Sequence, residues 1–335
     1  MTQCCIIIVN WNSWDYLWKC LDALSTQTYK DFKVFVIDNA SNNQEKSVYL
    51  KKFSWVEYIE NKSNIGFAAA NNNVINTIAL SPWVVLLNPD TVPDCCWLES
   101  LMAAAKAYPE YSSFGSKLLK ADEPSLLDGE GDVYHMSGFA WRKGHGQPAN
   151  TLTTEYPIFS PCAAAAMYDR KAFQLVGGFD TDYFCYHEDV DLGFRLQLAG
   201  FRALQVPSSV VFHHGSATTS TRSDFSLYYG HRNLIWTWFK NLPLPFLLLF
   251  FPIHCLWNIA ALCRYIFRGQ GKVVGKAKID GYFSLKKVLK KRSDIQKNRS
   301  VSLLFIWSII DKRLVPRDFT KIFQHKLFLK NIKAR

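Results

Sequence analysis

Short apolar runs rich in β-branched residues recur in the first part of the chain: Ile6–Val9, Val34–Ile37 and Val84–Leu87. None alternates with polar positions, so each reads as a strand buried on both faces. Helical stretches lie between them, Trp14–Leu24 and Ala68–Leu80. Strands alternating with helices predict a parallel α/β sheet covered by helices on both faces. In open sheets of that kind ligands sit at the carboxyl ends of the strands. The residues to examine are therefore those that follow each run: Asn10-Trp11-Asn12, Asp38-Asn39 and Asn88-Pro89-Asp90.

From about Tyr111 to Val211 the pattern is punctuated by Gly and Pro, with Gly177-Gly178-Phe179-Asp180 and then Glu188-Asp189-Val190-Asp191 leading into Leu192–Leu198. The acidic cluster marks a helix start, where carboxylates are favoured by the helix dipole. From Asn241 the character changes. Leu242–Phe267 is almost wholly apolar, broken by Pro243, Pro245 and Pro252, with Arg264 its only formal charge. A basic tail follows, holding Lys286-Lys287, Lys290-Lys291-Arg292 and a second apolar piece, Leu303–Ile310.

Charge sharpens this division. The net charge of +11 averages two unlike parts: residues 264–335 hold 20 Lys/Arg against 4 Asp/Glu, and residues 1–263 hold 19 against 24. They carry about −5 and +16, and need separate explanations. With 335 residues and 49% hydrophobic content the chain buries a full core, which predicts one large domain over 1–220 and an appendage over 221–335. The nine cysteines form no C-x-x-C and include two adjacent pairs, so neither a disulfide framework nor a zinc site is indicated. A reducing compartment follows. The first residues lack a basic region and run at once into a strand, so no secretory signal is read there and a cytoplasmic location is expected.

The apolar run is long enough to cross a bilayer, but a simple crossing puts the basic tail on the far side, against the positive-inside tendency. Its prolines also interrupt a single straight helix. An interfacial or re-entrant segment on anionic lipid fits better, with a buried core or oligomer interface as the alternative. Nucleic acid is not expected as a partner, because no RNA- or DNA-binding motif accompanies the basic tail.

Singly, the polar candidates are weak. Asp38 reads equally well as an acidic turn residue, and Asn-Pro-Asp at Asp90 is more often a turn than a cation site. His213 and His214 follow the strand-like Ser209–Phe212 and are as readily structural as ligating. Three carboxylates at Glu188, Asp189 and Asp191 are stronger, since crowding and burial raise one pKa toward that of a useful general base. A solvated helix start is the alternative.

Together, in this order and spacing, the segments resemble the family 2 glycosyltransferases of the GT-A fold, particularly a bacterial rhamnosyltransferase-like branch. The resemblance covers residues 4–233. It is carried by Ile8-Val9-Asn10-Trp11-Asn12, Val36-Ile37-Asp38-Asn39-Ala40-Ser41, Asn64-Ile65-Gly66-Phe67-Ala68, Leu87-Asn88-Pro89-Asp90, and Gly177-Gly178-Phe179-Asp180 with Phe184 to Arg195. It implies a mixed, mostly parallel GT-A sheet flanked by helices, a nucleotide-sugar donor, and Asn10, Asp38, Asn64 and Gly66 on the nucleotide. It implies Mg²⁺ or Mn²⁺ on Asp90, with His213 of His213-His214-Gly215-Ser216 as second ligand. Asp189 becomes the catalytic base, with Glu188 and Asp191 positioning the acceptor or the local helix, and Arg232 meets the leaving diphosphate.

One displacement of this kind inverts the anomeric configuration. The acceptor implied is lipid-linked or a growing cell-envelope polysaccharide of O-antigen or capsule type. Rhamnose from its dTDP donor is the first expectation, and the cytoplasmic face of the plasma membrane the expected place, held peripherally or monotopically. Departures fall around the donor: Ala70 and Val74 stand where glycines are frequent, and Cys162-Ala163-Ala164 replaces a frequent Ser-Gly-Ala. Two other functions remain at this point, a non-catalytic nucleotide- or glycan-binding subunit of a polysaccharide assembly and a nucleotidyltransferase on a similar sheet.

Overall fold

A computed structural model describes residues 2–42, 48, 51–77, 81–149, 153–215, 223–317 and 319. The first half is the expected alternation: β1 Cys4–Asn10, α1 Trp14–Ser25, β2 Phe32–Asp38, β3 Glu57–Glu60, α2 Phe67–Thr77, β4 Trp83–Leu87, β5 Thr91–Pro93 and α3 Trp97–Ala107. Strand residues alternate between two cores because successive Cβ atoms point to opposite faces. Cys4, Ile6 and Ile8 of β1 pack with α1 and α3, whereas Cys5 and Ile7 pack with α2. The helix predicted over Ala68–Leu80 is described to Thr77, and positions 78–80 lie outside the described residues.

The middle of the chain supplies β6 Tyr111–Lys120, β7 Leu127–Gly129, β8 Asp132–Tyr134, β9 Ala140–Arg142, β10 Tyr156–Ile158, β11 Ala165–Asp169, α4 Arg170–Leu175, α5 Glu188–Leu198 and β12 Arg202–His213. The main sheet runs β10-β12-β6-β11-β4-β1-β2-β3, with β5 and β7 pairing off this path. Four of its seven neighbouring pairs are parallel, and β11 enters antiparallel between β4 and β6. The wholly parallel sheet expected from alternation is thus mixed, as the resemblance implied. The chain moves outward from β1 to β2 to β3, then returns to place β4 on the other side of β1. That reversal opens a crevice beyond the strands' carboxyl ends.

Among the described residues five helices follow: α6 Asp224–Asn241, α7 Leu244–Ile266, α8 Gly271–Phe283, α9 Leu285–Lys297 and α10 Leu303–Ile309. Tyr134, Phe159, Val190 and Phe194 share an apolar cluster with Trp238, Leu242, Phe250 and Ile306, which joins these helices to α5. Polar ties reinforce the join. Lys240 of α6 is 1% exposed and donates to Asp180 Oδ2 at 2.6 Å, with Asp191 Oδ1 at 2.7 Å. From α9, Lys291 reaches Asp180 and Asp182.

The apolar run forms one continuous helix, which corrects the expectation that its prolines interrupt it. Pro243 caps α7 and Pro245 lies in its first turn, where the missing N–H costs nothing, and only Pro252 is internal. Among the described residues it is the one helix long and apolar enough to cross a membrane, and a 22% share of its most apolar window is buried. The buried stripe is Phe250, His254, Asn258 and Ala261. The polar members face inward: His254 Nδ1 pairs with the Ser137 carbonyl at 2.8 Å, and Asn258 Oδ1 accepts from Lys278 Nζ at 2.6 Å. Leu248, Leu249, Leu256 and Ile259 face outward, each more than half exposed. A helix on a water-facing surface has the opposite polarity.

Candidate active site

A cleft of about 590 Å³ lies beyond the carboxyl ends of β1, β2 and β4. One wall is built by Asn39, just after β2. Its Nδ2 donates to Asn64 Oδ1 at 2.9 Å, and its Oδ1 accepts from Asn61 Nδ2 at 3.0 Å and from the Ile65 amide at 3.2 Å. Asn64 Oδ1 also takes the Gly66 amide at 2.9 Å. Gly66 sits at φ +83°, and a Cβ there would meet Phe184 at 2.7 Å, so only glycine fits. Asn39, Asn64 and Gly66 line the cleft.

Asn10 and Asp38 do not reach it. Asp38 is 1% exposed, and its carboxylate takes the Ser41 hydroxyl and amide and Asn10 Nδ2. Asn39 and Asn64, rather than these two residues, form that part of the cleft wall. Ala70 and Val74 are likewise buried in the core beneath α2, so those departures leave the wall untouched. Cys162, Ala163 and Ala164 do line the cleft.

Across the cleft, strand pairing brings together two residues far apart in sequence. Asp90 precedes β5, which pairs antiparallel with β12 so that Thr91 lies opposite His213. His213 Nε2 comes to 3.4 Å from Asp90 Oδ1. The other nitrogen, Nδ1, is 2.7 Å from Asp128 Oδ2. Burial disfavours charge on this ring, but the carboxylates of Asp128 and Asp90 outweigh it and raise its pKa. The buried Nε2 has no hydrogen bond, and a carboxylate backing the opposite nitrogen is the usual support of a ligating histidine. The pair Asp90 and His213 therefore fits a hard divalent cation. Ser216, the last member of the histidine motif, lies outside the described residues.

Three residues here went unseen in the sequence. Asp128, on β7, also pairs with Arg142 and with His145. Arg142 and Asp132 face each other across the β8–β9 ladder, and both line the cleft. Arg142 thus places a cation beside the Asp90–His213 pair. Arg232, expected there, is turned away: its guanidinium donates to the carbonyls of Asp182 and Tyr183 at 3.1 and 3.2 Å and lies over Trp236 at 4.1 Å.

The acidic cluster opens α5 after a strained turn. Phe184, Tyr186 and His187 all have φ of 65°, a region costly for non-glycine residues and typical of functional sites. Asn233 of α6 holds the turn by donating Nδ2 to the carbonyls of Tyr183, Cys185 and Tyr186. Asp189 then faces the cleft, with Oδ2 accepting from the Ala163 amide at 3.2 Å and Oδ1 from Val190 at 2.8 Å. The sequence argument that crowding lifts one carboxyl holds for its neighbours. Burial, with the charge of Asp189 added, raises the pKa of Glu188 and of Asp132 well above the carboxylate range. Of the two placements expected for Asp191, on the acceptor or on the local helix, its contacts fit the helix. It is fully buried behind the helix, paired with Arg195 and Lys240, and positions α5 itself.

The family model described as Glycosyl transferase family 2 matches residues 5–177. Two relatives have similar sequences over most of their own length. N-acetylglucosaminyl-diphospho-decaprenol L-rhamnosyltransferase of Mycobacterium tuberculosis is 28% identical, covering 64% of this chain and 76% of the relative. Rhamnosyltransferase WbbL of Escherichia coli K12 is 28% identical, covering 66% and 86%. Among solved structures, GalNAc-T7 with UDP, GalNAc and Mn²⁺ superposes with a TM-score of 0.58 at 16% identity, over 71% of this chain and 47% of that one. The mannosyltransferase PcManGT from Pyrobaculum calidifontis, in complex with GDP-Man and Mn²⁺, gives 0.51 at 17%, over 89% and 84%. These two likenesses are of fold.

Proposed function

The chain belongs to glycosyltransferase family 2 and has the GT-A fold, and on that premise we propose that it is a metal-dependent, inverting transferase that adds a sugar to a lipid-linked or growing cell-envelope glycan at a membrane surface. One observation carries the reading: Asp189, the Asp90–His213 pair and the Asn39–Asn64–Gly66 wall all open on a single cleft.

In this mechanism Asp189 takes the proton of an acceptor hydroxyl as that oxygen attacks the anomeric carbon from the face opposite the phosphate. The anomeric bond to phosphate breaks, its electron pair leaves with the nucleoside diphosphate, and the configuration inverts. Two backbone amides hold the Asp189 carboxylate, one on each oxygen, so that the base is oriented before substrate arrives. Burial and the neighbouring Asp189 carboxylate raise the pKa of Glu188, which favours its neutral form. Arg142 faces the charge that grows on the leaving diphosphate. Asp90 and His213 would hold Mg²⁺ or Mn²⁺, which supplies Lewis-acid stabilisation of that same charge. Asp128 keeps the His213 ring oriented, and Asp128→Asn is expected to weaken Mn²⁺ binding about 10–100-fold, read by calorimetric titration of the metal. An unchanged affinity would remove His213 from the ligand set.

The similarity to two rhamnosyltransferases supports rhamnose from dTDP-rhamnose as donor, and the diphospho-decaprenol acceptor in one of their names supports a lipid-linked acceptor. The outward apolar face of α7 and the basic helices after it support attachment to anionic lipid, at the cytoplasmic face of the plasma membrane. The test offers purified protein in detergent a panel of nucleotide sugars and follows nucleoside diphosphate release. Release from one donor that EDTA abolishes is expected. Release indifferent to EDTA would overturn the metal dependence, and pyrophosphate as product would overturn the transferase chemistry.

A further inference from the structure

α7 rests in a bed of three elements. Beneath it lies α6, with Trp238 stacked on His254 at 3.9 Å between ring centres and His231 edge-on to Tyr265 at 5.2 Å. Along one flank α8 runs antiparallel. Tyr282 Oη is 3.3 Å from His254 Nε2, Lys278 Nζ donates to Asn258 Oδ1 at 2.6 Å, and a Cβ on Gly275 would meet Leu262 at 3.8 Å. Along the other flank the chain from α10 onward runs in the same direction as α7. Trp307 packs on Phe246 and Phe250 with ring centres 5.7 and 5.8 Å away, Trp257 Nε1 donates to the Leu314 carbonyl at 2.9 Å, and Phe319 packs on Trp257 at 4.7 Å. These contacts hold the helix from Phe246 to Tyr265.

The fourth side is bare. Its exposed positions from Leu244 to Cys263 hold only Leu, Ile, Phe, Pro and Cys. With 23 residues the helix is about 35 Å long, enough to cross a bilayer. The bed forbids it. A crossing α7 would draw α8 into the hydrocarbon beside it, and α8 carries Lys272, Lys276, Lys278 and Asp280, charges that are costly at that depth. Laid flat, the same helix puts only its bare side into lipid and leaves α8 at the headgroups. The stretch 268–297, which forms α8 and α9, holds ten basic and two acidic residues. Such a flank repels a second copy of this chain and attracts anionic headgroups.

We propose that α7 lies in the plane of an anionic bilayer surface, its outer face immersed in lipid and its inner face kept on the catalytic unit, and that it does not cross. The proposal rests on the reading of a membrane-attached transferase and adds how the attachment is made. Amphipathic helices placed in this way sink about 5–10 Å into the boundary between headgroups and acyl chains.

Leu248 and Ile259 both face outward and stand about 16 Å apart along the helix axis, so their relative depth tells a flat helix from a crossing one. In the full chain, p-azidophenylalanine replaces one or the other and carries a nitrobenzoxadiazole label. Quenching by lipids with doxyl groups at two depths is then measured in phosphatidylglycerol–phosphatidylcholine vesicles. The expected result is equal depth for the two labels, within about 3 Å, near the level of the headgroups. Depths about 10 Å or more apart would overturn the flat placement and leave membrane attachment standing. A second variant carries Leu248→Glu with Ile259→Glu, both at exposed positions that the fold does not need. Its binding to the same vesicles is expected to fall about tenfold or more, with nucleoside diphosphate affinity within about twofold of the parent protein. Unchanged vesicle binding would show that this face does not enter lipid, and a parent protein that changes from dimer to monomer with this variant would assign the face to a second copy. A parent protein that binds no anionic vesicles would remove the attachment itself, and this proposal with it, while the transferase chemistry is judged separately by donor turnover.

Discussion

Asp189→Asn is expected to lower kcat about 10²- to 10⁴-fold, the usual worth of a positioned general base, while the Kd for nucleoside diphosphate stays near that of the parent protein. The substitution preserves shape and removes only the ability to take a proton. The Asp189 oxygens accept from the amides of Ala163 and Val190, so the variant loses at most one of these bonds when its NH₂ meets a backbone N–H. Single-turnover kinetics with saturating donor and acceptor separate chemistry from binding. A variant within about threefold of the parent protein in kcat would show that the proton leaves by another route, with the neighbouring Glu188 and Asp132 the first groups to examine.

The largest effect on stability is expected from Lys240→Met. Lys240 is the buried cation between Asp180 and Asp191, and it also lies 4.5 Å from the centre of the Tyr183 ring. Methionine nearly matches its volume but leaves two buried carboxylates short of a partner, a change that costs about 3–5 kcal/mol. Urea unfolding followed by tryptophan fluorescence measures it. The pH dependence gives a second signature. Burial works against the Asp191 and Asp180 carboxylates, but Arg195 and Lys240 for the first, and Lys240 and Lys291 for the second, hold both pKa values below the usual range. A depressed folded-state pKa contributes stability that is present above the unfolded value near 4 and is lost as pH falls through the folded one. The parent protein is therefore expected to lose stability steeply below about pH 4, and the variant, whose carboxylates titrate higher, to lose less over that window. Equal stability at pH 7 would show that the pair is solvated in solution.

The parts of this fold legible in the sequence are those where local pattern and tertiary environment agree. β1, β2 and β4 are buried on both faces, so their apolar runs stand out, and the polar residues just past them fall at the crevice. Alanine-rich β11 and the three-residue strands β7 to β9 have no such pattern. Their places are set by partners in the sheet, which is why Asp128, Asp132 and Arg142 escaped notice. Of the residues that family resemblance names, Asp90, His213, Asn64, Gly66 and Asp189 line the cleft. Others that it names have side chains that turn away from the cleft. Asp38 ends β2 and Asn39 follows it, but only Asn39 lines the cleft. Asp191 shares a helix turn with Asp189, and its direction is fixed by Lys240 and Arg195. Arg232 carries a charge that the Asp182 and Tyr183 carbonyls satisfy locally. A signal for Arg142 did exist: a charged residue beside Trp141 in an otherwise polar, turn-rich stretch.

The inverted polarity of α7 has a geometric consequence. If its leucine face rests on lipid, Asp189 stands at a fixed height above the bilayer, because α7 shares an apolar cluster with α6 and α6 grips the catalytic turn through Asn233. No flexible tether intervenes among these contacts. The scaffold then works as a ruler, selecting the hydroxyl that lies one set distance from the lipid anchor. An acceptor lengthened by one transfer would carry its new end beyond that mark.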